Sequence, residues 1–137
     1  MMDAADYTAR LGKLLGVGAP LTLPKQHDDQ LALIGAAALG LEPSRRYTEK
    51  ELNAALSAWL QTFSRPGGLD HVTLRRYLID FRFLARQSDG SAYWVDRDEL
   101  SQEFESEIFG LETQAIVAAV KAEQAARRQQ WRGQQGK

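Results

Sequence analysis

The chain has 137 residues, of which 44% are hydrophobic and 26% charged, with a formal net charge of −1. That length suits one packed domain, and so small a charge gives no global attraction to nucleic acid or membrane; any DNA binding must come from local charge placement. The absence of cysteine excludes disulfides, thiolate zinc sites and thiol nucleophiles together.

The N-terminal stretch MMDAADYTARLGKLLGVGAPL has early acids and no uninterrupted apolar run. It is read as neither a signal peptide nor a membrane span, and the expected location is cytoplasmic. Within it, Ala4, Tyr7, Leu11 and Leu14 fall at helical spacing between Asp3 and Leu15, and Gly16, Gly18 and Pro20 break the pattern. The glycines do not make a phosphate-cradling loop, because Leu21 stands where a third would fall and no Lys-Ser/Thr follows.

A second helix is expected from Lys25 to about Leu39, with Asp28 and Asp29 in its first turn and Leu31, Ile34 and Ala38 along one face. Thr48 followed by Glu51 is a capping box. It starts a helix with a wide apolar stripe of Leu52, Ala55, Leu56, Trp59, Leu60 and Phe63. Arg45, Arg46 and Tyr47 precede it as a short extended piece, and SRPGG ends it as a loop. Asp70 caps the next helix, which carries Leu74, Tyr77, Leu78 and Phe81 on one face.

Leu84 to Ser88 and Ala92 to Val95, joined at Asp89-Gly90, read as a two-stranded hairpin. The order helix, short strand, helix, helix, strand, turn, strand is that of a winged helix. Beyond it, Leu100, Phe104 and Ile108 repeat every fourth residue on a helix starting near Asp96 or Asp98, with an interruption at Gly110; Ile116 and Val120 continue a helix toward Arg128. The expected fold is mainly α with a small β-hairpin. It comprises an N-terminal helix and linker (1–22), a winged helix-turn-helix core (23–95) and a C-terminal helical extension (96–137).

The Leu23-Pro24-Lys25 entry, Arg45-Arg46-Tyr47-Thr48-Glu49-Lys50-Glu51, Thr73-Leu74-Arg75-Arg76 and Tyr93-Trp94 together resemble an uncharacterised bacterial winged-helix-like family, the domain of unknown function two-thousand-and-eighty-seven. The resemblance implies a small winged-helix module of a kind often attached to helix-turn-helix transcriptional regulators. Two departures stand out: SRPGGL looks like an insertion, and Arg82 occupies a position where family members commonly have glycine.

The helix with the two adjacent arginines is the candidate recognition helix. At about 100° per residue, the face opposite its apolar stripe centres on Val72, Arg76 and Ile79, with Arg75 and Asp80 at its sides. Arginine suits DNA because its planar fork holds a phosphate or a guanine edge through two hydrogen bonds. The candidate DNA-contacting residues are Arg75, Arg76 and Thr73 on this helix, Arg45 and Arg46 before the preceding one, and Arg86 in the wing.

The competing reading is a protein-interaction or dimerisation module. Asp80 is placed to pair with Arg76, Arg45 and Arg46 to pair with Glu42, Glu49 or the wing, and residues 23–95 hold nine basic against eight acidic residues. Its candidate contact residues are Val72, Ile79, Leu100, Phe104 and Ile108. Residues 96–112 hold seven acids and one arginine, and 121–137 five basic residues and one glutamate. That asymmetry permits helix pairing within a chain, a homodimer through the terminal helices, or phosphate contact by Arg127, Arg128, Arg132 and Lys137, with Trp131 either stacking on a base or packing on its own domain.

No catalytic, metal or cofactor site is expected. His27-Asp28-Asp29 are consecutive helix residues pointing in different directions, and His71 sits beside a helix cap. The partners to weigh are double-stranded DNA and a second copy of the chain, with no membrane.

Overall fold

A computed structural model describes residues 1–135. Six α-helices run Ala4–Leu15 (α1), His27–Leu39 (α2), Glu49–Phe63 (α3), His71–Asp80 (α4), Arg97–Glu103 (α5) and Thr113–Gln135 (α6). Two strands, Leu84–Arg86 (β1) and Tyr93–Val95 (β2), lie between α4 and α5, and a 3₁₀ helix spans Ser106–Gly110. The chain is mainly helical with a small antiparallel hairpin, as expected. Among the described residues no helix is long and apolar enough to cross a membrane.

The helix starts follow from their capping residues. The side chains of Asp3, Thr48, Asp70 and Asp96 each accept a hydrogen bond from a backbone N–H three residues on, and Glu51 returns the bond to the Thr48 N–H to complete the capping box. Four first turns thus have an orphan donor satisfied. α2 begins at His27, two residues later than expected, and His27 stacks on Phe81 at 6.0 Å.

α2 is the axis of the core. Leu31 to Ala38 are all buried, and its small residues admit close neighbours. Tyr7 and Leu11 of α1, Leu52 and Leu56 of α3, Leu74 and Leu78 of α4, and Phe83 join the same cluster. A single apolar core therefore draws on segments from both ends of the chain.

The hairpin pairs Leu84 with Val95, Ala85 with Trp94 and Arg86 with Tyr93. A third segment joins it: the Tyr47 N–H donates to the Tyr93 carbonyl and the Tyr93 N–H to the Tyr47 carbonyl, both at 2.8 Å. The extended piece before α3 is thus tied to the wing. The strands are shorter than expected and the connection longer, Gln87 to Ala92. A two-residue turn of the mirror-image kind needs positive φ at both central residues. Here Gly90 alone has it, at +76°, while the Asp89 side chain accepts from the Ser91 N–H.

Two loops that sequence reading left unpartnered meet each other. The Leu21 N–H donates to Ser64 Oγ at 2.8 Å, and the Leu69 N–H to the Leu21 carbonyl at 2.7 Å. SRPGGL is therefore held by the linker that follows α1.

Arg82 has φ +64°, a left-handed conformation. Its N–H donates to the Ile79 carbonyl and the Phe83 N–H to the Leu78 carbonyl. This is the Schellman arrangement that ends a helix, usually with glycine at the left-handed position. The departure from the family pattern thus carries strain of about 1–2 kcal/mol.

The Leu100, Phe104 and Ile108 repeat does not lie on one helix. α5 stops at Glu103 because Phe104 is extended, and Met2 brackets it: the Met2 N–H donates to the Glu103 carbonyl and the Glu105 N–H to the Met2 carbonyl. The 3₁₀ helix then presents Ile108, and Gly110 ends it as the expected interruption. α6 runs to Gln135 rather than stopping near Arg128.

Asp29 was read as a helix-dipole acid, yet it is 5% exposed. Arg10 Nη1 donates to one carboxylate oxygen at 2.9 Å and Lys13 Nζ to the other at 3.0 Å. Burial pushes this carboxyl up, but the hydrogen bonds from Lys13 and Arg10 outweigh burial and hold it below its ordinary value. A depressed folded-state pKa contributes stability above the unfolded value of about 3.9, lost as pH falls through the folded one. Asp29→Asn is expected to cost about 1–2 kcal/mol at neutral pH, since Lys13 stays solvated and Arg10 keeps Asp6. The wild-type advantage should vanish below about pH 3, as chemical denaturation at both pH values would reveal.

Candidate nucleic-acid interface

The basic residues singled out from sequence converge on the edge where α3 begins, α4 passes and the hairpin packs. They divide into two groups.

Arg75 and Arg45 are committed to the fold. Arg75 Nη1 donates to Glu49 Oε1 and to Asn53 Oδ1, both at 3.0 Å, and the guanidinium carbon lies 6.0 Å from the Tyr93 ring centroid. With only 21% of its side chain exposed, Arg75 straps α4 to α3. Arg45 donates to Glu51 at 3.0 Å, lies 3.8 Å from Glu42 and stacks on Tyr47 at 4.4 Å. The hydrogen bond to Glu51 holds the Arg45 guanidinium above its ordinary pKa. Glu51 is held low, first by the Thr48 backbone and side chain and then by Arg45.

Arg46, Arg76 and Arg86 are exposed and, among the described residues, lie within 4.0 Å of no carboxylate. Arg76 does not take up the available pairing with Asp80, which is exposed one turn later. Arg46 stacks on Trp94 at 4.4 Å, an arrangement that orients the planar fork without neutralising it. Arg86 makes one long contact, 3.4 Å from Nε to the Gln87 carbonyl. The Thr73 N–H is bound to the Asp70 cap at 2.8 Å, and Thr73 is half-buried.

The proposed protein-contact residues divide as well. Val72 is 45% exposed on α4, whereas Ile79 is partly buried against the core. Leu100, Phe104 and Ile108 are 0%, 1% and 0% exposed, so they build this chain's own core instead of a contact surface. The reason is the backbone pairing with Met2, which turns all three inward.

The basic tail does not fold onto the acidic segment: among the described residues none of its cations pairs with residues 96–112, and its one ion pair is Arg127 with Glu123 at 3.9 Å. α6 packs instead on α1, where Val120 meets Gly12 and Gly16. Trp131 is 61% exposed and does not pack on its own domain. Lys137 lies outside the described residues.

Sequence reasoning missed the inward roles of Arg75 and Asp29. A signal existed for Asp29, which stands four residues before Leu33 and seven before Ala36 and so shares the buried azimuth of α2. Nothing local marked Arg75, because its partners come from α3.

The chain matches no curated protein and no solved structure. Residues 21–95 match the model of a family described as uncharacterized protein conserved in bacteria. More than half of the chain is covered, including the wing, α3 and α4 with its exposed arginine, and the chain therefore belongs to this family, DUF2087.

Proposed function

We propose that this protein is a non-catalytic, winged-helix DNA-binding module acting in transcription regulation in the bacterial cytoplasm. The observation that carries the reading is the trio of exposed guanidiniums without carboxylate partners, Arg76 on α4, Arg46 before α3 and Arg86 in the wing. In a winged helix the second helix of the helix-turn-helix enters the major groove and the flanking elements meet the backbone. On that plan Arg76 faces the duplex, while Arg46 and Arg86 neutralise phosphates and set orientation. Arg75, Arg45 and Thr73 hold the surface in shape, and their loss would act on stability first.

The non-catalytic part of the reading is supported by the lack, among the described residues, of any group of three His, Cys, Asp or Glu placed to hold a metal. A second reading, a protein-interaction module of the same shape, is favoured by Val72, whose exposed apolar side chain lies beside Arg76 on α4.

The test is fluorescence anisotropy with random-sequence duplex DNA at several salt concentrations. Binding should weaken steeply with salt, and Arg46→Ala, Arg76→Ala and Arg86→Ala together should lower the salt slope by about 3. Arg75→Ala should leave that slope unchanged. An unaltered slope in the triple variant, or no binding at low salt, rejects the reading and transfers weight to Val72.

A further inference from the structure

The second half of α6 leaves the body of the protein. Ile116 and Val117 are buried and Val120 is half-buried against α1, but from Lys121 to Gly133 every residue except Gln124 is exposed. The packing stripe nonetheless continues. Trp131 lies eleven residues after Val120, which places it about 20° from Val120 around the helix and about 16 Å further along. The overhang thus ends in a large apolar side chain, on the side that packs on α1, with nothing from its own chain over it.

A matching cavity lies on the same chain. α1 and α6 leave between them an open, largely apolar groove walled by Ala5, Ala9, Val17, Ala119 and Val120. Gly12 and Gly16 let the helices approach closely there: a Cβ on either would fall within 2.8 Å of a Val120 methyl.

We infer that α6 pairs antiparallel with α6 of a second copy, each Trp131 filling the α1/α6 groove of the other. A two-fold axis near Ala125 and Ala126 sets Trp131 opposite Ala119 and Val120 of the second copy. The same register sets Glu123, the one acid of the overhang, opposite Arg127 and Arg128. Anchor, groove and both charge signs recur in each copy, so one two-fold axis satisfies all of them twice and the assembly closes as a dimer. The small side chains of Ala122, Ala125 and Ala126 at the crossing point allow close approach of the helices. A basic helix facing its own copy would ordinarily repel, and the placement of Glu123 removes that objection. The inference does not rest on DNA contact and is tested without DNA.

Sedimentation velocity on the full chain over a wide concentration range measures it. The wild type should form a concentration-dependent dimer, and Trp131→Ala should weaken it at least tenfold. Circular dichroism should not change, because the side chain is exposed. Glu123→Arg alone, and Arg127→Glu with Arg128→Glu, should each weaken the dimer through like-charge contacts; the three changes combined should restore it. A monomer at every concentration overturns the inference. So does a dimer indifferent to Trp131→Ala, or one that the combined charge exchange fails to restore.

Discussion

Phe104→Ala is expected to lower the free energy of unfolding by about 4 kcal/mol, the cost of a buried phenylalanine whose cavity cannot collapse. The ring is 1% exposed, meets Tyr7 edge-on at 5.7 Å and Phe83 at 5.8 Å, and so joins α1 to the start of the wing. Its backbone is fixed by Met2 on both sides, leaving little freedom to repack. Urea denaturation with a constant slope would register the loss. A change below about 0.5 kcal/mol, the usual range for surface positions, would instead return Phe104 to a contact surface.

Gly35→Ala should destabilise by about 2–3 kcal/mol, opposite in sign to the gain of up to about 1 kcal/mol that the substitution brings inside an unobstructed helix. A Cβ on Gly35 would fall 2.4 Å from Phe104 Cζ and 2.6 Å from Cε2. The ring has no easy retreat, because Tyr7 and Phe83 flank it. Phe104→Leu, which shortens the intruding edge, should recover part of the loss, so the pair should be strongly non-additive in a double-mutant cycle. Simple additivity would separate the cost of Gly35→Ala from this contact.

Both predictions concern a part of the molecule that sequence reading described least well. Local signals were legible: the four capping acids or hydroxyls, the wide stripe of α3 and the alternation of the hairpin all act within a few residues. Leu100, Phe104 and Ile108 preserve a period of four across a break in the helix, so periodicity alone joined what Met2 separates. The deciding hydrogen bonds link residues about a hundred positions apart, a distance at which no spacing rule operates. The arginines show the same limit. Their outward or inward use depends on whether a carboxylate from another helix reaches them, and Arg75 meets Glu49 while Arg76, its neighbour, meets none. The family resemblance located the relevant surface, but it did not separate the arginines that build it from those left available.

Arg82 joins two tasks that most proteins assign to different residues. Its backbone performs the bend that lets the chain leave α4 and enter β1, a task for which glycine is the ordinary choice. Its side chain meanwhile carries a cation out of that bend into solvent. Replacement by glycine would relax the bend and delete the charge together, whereas replacement by lysine would keep both the charge and the tension. The position is therefore a place where stability and surface potential can be exchanged by one substitution, and where homologues with glycine represent the opposite choice.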